Sequence, residues 1–160
     1  MPPSALLLPD RAAAQILAGA PVVELSLLPE PGVAAEPGRP LVFLDPHGGA
    51  IGSGIADPEN EVLRVLSRDA VDSFDAAFFR RRVEAALRLR SALGLPGERS
   101  AYRLLNAEGD GLSGFLADVY GSHAVLYVLS RGLINLGRMV AQAIISVLGP
   151  RGVVLKVRPK

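Results

Sequence analysis

At 160 residues and 16.8 kDa the chain has room for one ordinary domain or two small ones. Hydrophobic residues at 49% against 21% charged exclude wholesale disorder. Cysteine is absent, which excludes a disulfide scaffold, thiolate zinc sites, iron–sulfur ligation and a cysteine nucleophile within these residues. Two histidines, His47 and His123, cannot build a histidine-rich metal site, and no metal-ligating or catalytic set stands out. The longest uncharged apolar stretches, such as Met139 to Leu148, fall short of the roughly 20 residues that span a membrane. Ala12 to Ala20 is interrupted by Gln15, and Asp10 offsets Arg11 before it where a secretory signal starts more basic, so a cytoplasmic location without a membrane partner is expected.

A formal charge of +1 conceals two unequal parts. Residues 1–67 hold three Arg against eight acids, net −5, whereas residues 68–160 hold fourteen Arg or Lys against eight acids, net +6. Fifteen of the seventeen basic residues are Arg, whose planar fork suits phosphates and base faces. A polyanion partner for the second part fits this charge, as does a plain codon preference for Arg.

In chain order, Pro9-Asp10 and the alanines that follow predict a short helix, capped by Asp10 and closed by Gly19 and Pro21. Val22 to Leu28 reads as a strand. Pro29 to Pro40, with four prolines, reads as a loop outside the core. Leu41 to Leu44 and Ala50 to Ala56 form two strands across the Asp45–Gly49 turn, and Val62 to Ser67 forms another. Short strands punctuated by Gly and Pro predict a small β-barrel over residues 1–68.

A helix follows over Asp72 to Leu93, capped by Asp72 or Ser73 and stopped by Gly94 and Pro96. Phe79, Val83, Ala86 and Leu93 share its apolar face, with Phe78 nearby. Arg82 and Arg90 fall toward that face, where an Arg snorkels or meets a carboxylate. Glu84 lies one turn from Arg80, Arg81 and Arg88, which predicts solvated i,i+4 pairs. Ala101 to Asn106, Gly114 to Tyr120 and His123 to Ser130 are strands, the last two joined by the Gly121-Ser122 turn. Leu133 to Leu148 is a helix burying Leu136, Met139, Val140, Ala143, Ile144 and Val147, and Gly152 to Val157 is a final strand. The expected class is α+β: a β-barrel, a linker helix over residues 69–98, and a strand–strand–helix–strand unit over 99–160. That unit ends where its last strand needs a neighbour and so reads as an incomplete domain.

Gly109-Asp110-Gly111-Leu112-Ser113-Gly114 satisfies G-x-G-x-x-G, yet a strand follows it where a dinucleotide site needs a helix. Gly49 to Gly54 is a poorer match within a hairpin. Both are turns. Glu108, Asp110 and Asp118 form an acidic cluster; carboxylates flanked by glycine bind backbone N–H groups, so Glu108, Gly109, Asp110 and Gly111 are expected to shape the turn.

The stretch Tyr102-Arg103-Leu104-Leu105-Asn106-Ala107-Glu108-Gly109-Asp110-Gly111-Leu112-Ser113-Gly114-Phe115-Leu116-Ala117-Asp118-Val119-Tyr120-Gly121 resembles the Y-R-L-x-N-x-E-G-D-G-L-P-G-L-x-x-D-x-Y-G signature of a bacterial family. Its members are S-adenosylmethionine-dependent methyltransferases acting on carbon 5 of a cytosine in 23S ribosomal RNA. Upstream, Gly49 to Gly54, Asp57-Pro58 and Leu63 to Ser67 resemble the end of the family's N-terminal PUA domain, and Phe79 to Arg90 resembles its linker helix. The resemblance covers most of residues 15–160. It implies a PUA barrel, a linker helix and the start of a central domain, with Arg82, Arg90 and Arg103 contacting RNA or another domain. It also implies 23S rRNA as partner and S-adenosylmethionine as the parent protein's cofactor, with no cofactor site in this chain, since no Rossmann-like catalytic domain and no thiol follow.

The chain departs from the pattern where Ala18 to Val23 replaces a basic G-H-P-W-V-F segment, where Ser113 replaces proline and where Val119 replaces arginine. The acidic first part argues against phosphate binding there. A non-catalytic RNA-binding or protein-interaction module with a degenerate PUA domain is the alternative reading. The target nucleotide and oligomeric state are not written in the sequence.

Overall fold

The structure, a computed structural model, describes residues 3–30, 32–70, 74–97 and 100–158. The chain divides into two compact units, Met1–Phe74 and Asp75–Lys160. Both mix helix and strand, so the α+β class holds.

In the first unit, β1 (Ser4–Leu7), β2 (Val22–Glu24), β3 (Pro40–Leu44), β4 (Ala50–Asp57) and β5 (Val62–Ser67) form one sheet of order β1-β3-β4-β5-β2. β1 runs parallel to β3 and the other pairs are antiparallel. β1 and β2 stand at its two edges, so the expected closed barrel does not form among the described strands. The helix α1 (Asp10–Leu17) buries Ala12, Ala13 and Ile16 against Leu41, Phe43, Leu63 and Val65.

Four expectations change here. The strand Ser4–Leu7 is absent from the sequence reading. Asp10 is the first helical residue and not the cap; Pro9 holds that position without a side-chain bond. The strand from Val22 stops at Glu24, and a single 3₁₀ turn takes Leu25–Leu27. Its partner explains the stop, because Glu24 pairs with Val62 at the start of β5 and beyond lies the turn Pro58–Asn60. A strand extends only as far as its ladder. The proline-rich segment also reaches the core, since Ala34 within it is fully buried and Pro40 opens β3.

Gly54 marks a bulge between β4 and β5. A Cβ there would lie 1.9 Å from the Arg64 carbonyl oxygen, so only glycine lets the two backbones approach. Gly54→Ala is therefore expected to destabilise the first unit by about 2 kcal/mol, seen as a lower urea midpoint by far-UV circular dichroism.

In the second unit, β6 (Ala101–Asn106), β7 (Phe115–Tyr120), β8 (His123–Val128) and β9 (Gly152–Val157) form a sheet in that order. The first three are antiparallel and β9 joins parallel to β8, after the crossover helix α3 (Ile134–Leu148). The helix α2 (Ala76–Ala92) packs on α3 and β6. Phe79 sits at the centre, fully buried and edge-to-face with Phe78 and Phe115.

Asp75 caps α2, its Oδ1 accepting the Phe78 N–H at 2.7 Å. The expected caps Asp72 and Ser73 lie outside the described residues. The buried face of α2 is Phe79, Val83, Ala86 and Arg90, and Leu93 is 68% exposed because the helix has already ended at Ala92. The strands are shorter than expected, starting at Phe115 and ending at Val128. Gly137 lets α3 pack closely on the sheet, since a Cβ there would lie 2.6 Å from Val128 Cγ2; Leu136, Met139 and Val147 remain partly exposed. Among the described residues no helix is long and apolar enough to cross a membrane.

Candidate functional site: the Asn106–Gly114 turn and its arginines

The second unit places most of the sequence-selected residues around one turn. After β6 the chain makes a 3₁₀ turn over Ala107–Asp110, and Gly111 closes it in the left-handed conformation at φ +66°. Ala107 itself takes φ +45°, a region that costs a non-glycine residue about 1–2 kcal/mol. Such a turn needs fixed partners, and two carboxylates supply them.

Asp110 is the hub. Its Oδ1 accepts from Arg90 Nη1 at 2.6 Å, and its Oδ2 accepts from Arg90 Nη2 at 2.7 Å and from the Asn106 backbone N–H at 2.6 Å. Arg90 also donates through Nε to the Arg103 carbonyl at 2.9 Å, tying α2 to β6. The side chains of Arg90 and Asp110 are only 9% and 4% exposed, so this is a buried bidentate pair. Glu108 is exposed at the surface, and its Oε1 accepts from the Ser113 hydroxyl at 2.8 Å across the turn. Ser113, where the resembling family has proline, thus closes the turn by a hydrogen bond.

Arg82 lies on the other side of the turn, its guanidinium 5.2 Å from the centre of the Phe78 ring and within 3.3 Å of where a Gly111 Cβ would stand. Arg103 is more open. It donates to Asp118 from Nε at 2.7 Å and from Nη2 at 3.2 Å while its side chain stays 45% exposed. The bond to Asp118 raises its proton affinity above the ordinary arginine value, and the Tyr120 and Tyr127 phenols add to that rise. Burial pushes the neighbouring Tyr102 hydroxyl up from its usual value, partly offset by the Arg90 charge.

Arg90, Arg103, Gly109 and Asp110 line one open cleft of about 580 Å³ together with Asn106 and Asp118. Arg82 and Glu108 do not line it. Sequence reasoning missed the apolar lip, Leu89 and Leu93, which are 49% and 68% exposed. Leu89 does not match the period of the buried stripe of α2, and that mismatch is the signal that could have found it. His47 and His123 are exposed, on a turn and at a strand start, and neither lines this cleft. Among the described residues no group of three or more potential ligands forms a metal cluster.

The Gly109–Gly114 turn does not have the geometry of a nucleotide cradle. The glycines of 109–114 lead from one antiparallel strand into the next, with no helix N-terminus to receive a nucleotide. What the cleft offers is a partly apolar concavity beside the braced turn, in which each of its two arginines is paired to an aspartate.

No family model matches the chain. It is 36% identical over 99 residues to the Ribosomal RNA large subunit methyltransferase I of Erwinia tasmaniensis, which covers 61% of this chain and 25% of that protein. The same-named protein of Alteromonas mediterranea is 35% identical over 96 residues, covering 59% and 24%. The chain is similar to part of a ribosomal RNA methyltransferase. The matched segment spans about a quarter of the length of these curated relatives. Among solved structures, a Streptococcus mutans protein named as a SAM-dependent methyltransferase superposes with a TM-score of 0.85 at 17% identity, over 97% of this chain and 41% of that one. A second methyltransferase structure, complexed with SAH, gives 0.86 at 17% identity over 97% and 40%. At that identity the similarity establishes the fold.

Proposed function

We propose that the chain is the RNA-positioning part of an S-adenosylmethionine-dependent rRNA methyltransferase, acting on cytosine C5 in 23S rRNA. Residues 1–68 are its PUA-like unit, 69–98 carry the linker helix and 99–160 begin its central domain. The observation that carries this reading is the 36% identity over 99 residues to a ribosomal RNA large subunit methyltransferase I. The signature stretch, folded as a braced turn, supports it. In this reading Arg90 and Asp110 hold the turn, Glu108, Gly109 and Gly111 shape it, and Arg103 and Arg82 meet RNA or the catalytic domain. The cofactor and the thiolate that attacks cytosine belong to the parent protein, which acts in the cytoplasm.

Two measurements test the reading. Calorimetry of the 160-residue chain with S-adenosylmethionine is expected to show no binding; a stoichiometric complex overturns the division of labour. A filter-binding titration with 23S rRNA fragments is expected to show affinity that falls steeply as salt rises, because phosphate neutralisation releases counterions. Salt-independent or absent binding favours the alternative, a protein-interaction module, for which the net −5 of the first part speaks.

A further inference from the structure

The two faces of the second unit's sheet differ. One is buried: Phe115, Ala117 and Val119 of β7 with Ala124, Leu126 and Val128 of β8, on the side where α3 packs. Register sets the opposite face in rows. Tyr120 pairs with His123, Arg103 with Asp118 and Val125, and Leu116 with Tyr127 and then Lys156. α2 borders these rows at β6, where Leu89 and Leu93 share a cleft with Arg103 and Asp118, and among the described residues α3 packs on the other face. Tyr120 is 51% exposed and Val154 on β9 is also 51% exposed.

We infer that this open face of β6–β9 is a platform for unpaired RNA bases. The inference deepens the RNA-positioning reading and rests on it. Tyr120 and Tyr127 lie on adjacent strands, about 13 Å apart along the sheet at four residues' rise. Arg103 occupies the row between them. Arg158 already stacks on Tyr127, its guanidinium carbon 4.7 Å from the ring centre. Lys156 stands beside Tyr127 on β9, exposed. Three cations against the single carboxylate of Asp118 make the face complementary to a phosphate backbone. The exposed Tyr120 ring, and the Tyr127 ring where a base takes the place of Arg158, offer faces to bases that are not already stacked in a duplex, and each stacked base contributes substantially whatever its identity. A duplex would present only phosphates to these rings.

The test is fluorescence anisotropy of the 160-residue chain with a labelled oligouridylate of about 12 nucleotides and with a duplex RNA of the same length. Wild type is expected to prefer the single strand. Tyr120→Ala with Tyr127→Ala is expected to weaken that binding at least about tenfold, and Tyr120→Phe with Tyr127→Phe to retain it, because phenylalanine keeps the stacking face. Should the alanine pair fail to fold by circular dichroism, Lys156→Glu with Arg158→Glu carries the test, with a loss of similar size and a flatter salt dependence. If wild type binds RNA but every face variant binds equally, or the duplex binds better, the platform is overturned and the RNA-positioning reading survives. If wild type binds neither RNA at low salt, both fall. Light scattering that gives twice the chain mass, reverting to monomer in the tyrosine variants with RNA affinity unchanged, assigns the face to a second copy and overturns the inference.

Discussion

Arg90→Met is expected to destabilise the second unit by about 3–5 kcal/mol. Methionine keeps the apolar stem against α2's neighbours but removes three donors at once. Asp110 then retains only the Asn106 N–H, and the Arg103 carbonyl loses its Nε partner. A carboxylate 4% exposed cannot recover those bonds from water. The loss is a large fraction of the 5–15 kcal/mol that holds a typical domain. Urea unfolding followed by tyrosine fluorescence isolates the effect, since all three tyrosines lie between residues 102 and 120 or at 127, within this unit, and the chain has no tryptophan. The double variant Arg90→Met with Asp110→Leu is expected to recover part of the loss, the coupling of a contacting pair. A single-variant loss below about 1 kcal/mol, the range of an exposed ion pair, would show that the brace is not buried in solution.

Arg64→Met is expected to have a comparable effect on the first unit. Asp57, 1% exposed, directs one oxygen to everything around it: Oδ2 accepts from Arg64 Nε and Nη2, both at 2.7 Å, and from Asn60 Nδ2 at 2.9 Å. Oδ1 is buried and has no hydrogen-bond partner among the described residues. The carboxylate is thus half-satisfied already, and removing Arg64 leaves it with one neutral donor, for an expected cost of about 3–5 kcal/mol. The paired replacement Asp57→Leu with Arg64→Met is expected to approach or exceed wild-type stability, because well-packed apolar residues avoid desolvating two charges. Far-UV circular dichroism in urea measures both variants. Equal losses in the single and double variants would mean that the pair contributes through shape and not through charge.

The two ion pairs mark where sequence reasoning stopped. Arg90 was visible as a charge on an apolar stripe, and a charge there needs a carboxylate; which one it meets, 20 residues away, depends on how α2 lies across β6. Arg64 sat in an apolar run and raised no signal, because its alternation places it diagonally from Asp57 only once β4 and β5 are in register. Similarly, the Gly121-Ser122 hairpin was legible because a two-residue loop specifies its turn locally, and Gly121 takes φ +56° as expected. The strand from Val22 was overextended because its end is set by a partner 40 residues away. The cap of α2 was placed early because Asp72, Ser73 and Asp75 are all competent cap residues, and sequence alone does not rank them.

By itself the sequence determined the α+β class, the unequal charge of its two parts and the glycine turn between β6 and β7. These are decided by local periodicity, backbone conformational limits and short-range hydrogen bonding, which travel with a few consecutive residues. Only the tertiary structure decided that the first sheet stays open, that Arg90 is spent on Asp110 while Arg103 stays exposed, and that Tyr120, Tyr127, Lys156 and Arg158 share one uncovered face. Those facts depend on strand order and register, which bring Tyr127 and Arg158, 31 positions apart, to within one side chain's reach, and no local pattern encodes which strand will be the neighbour.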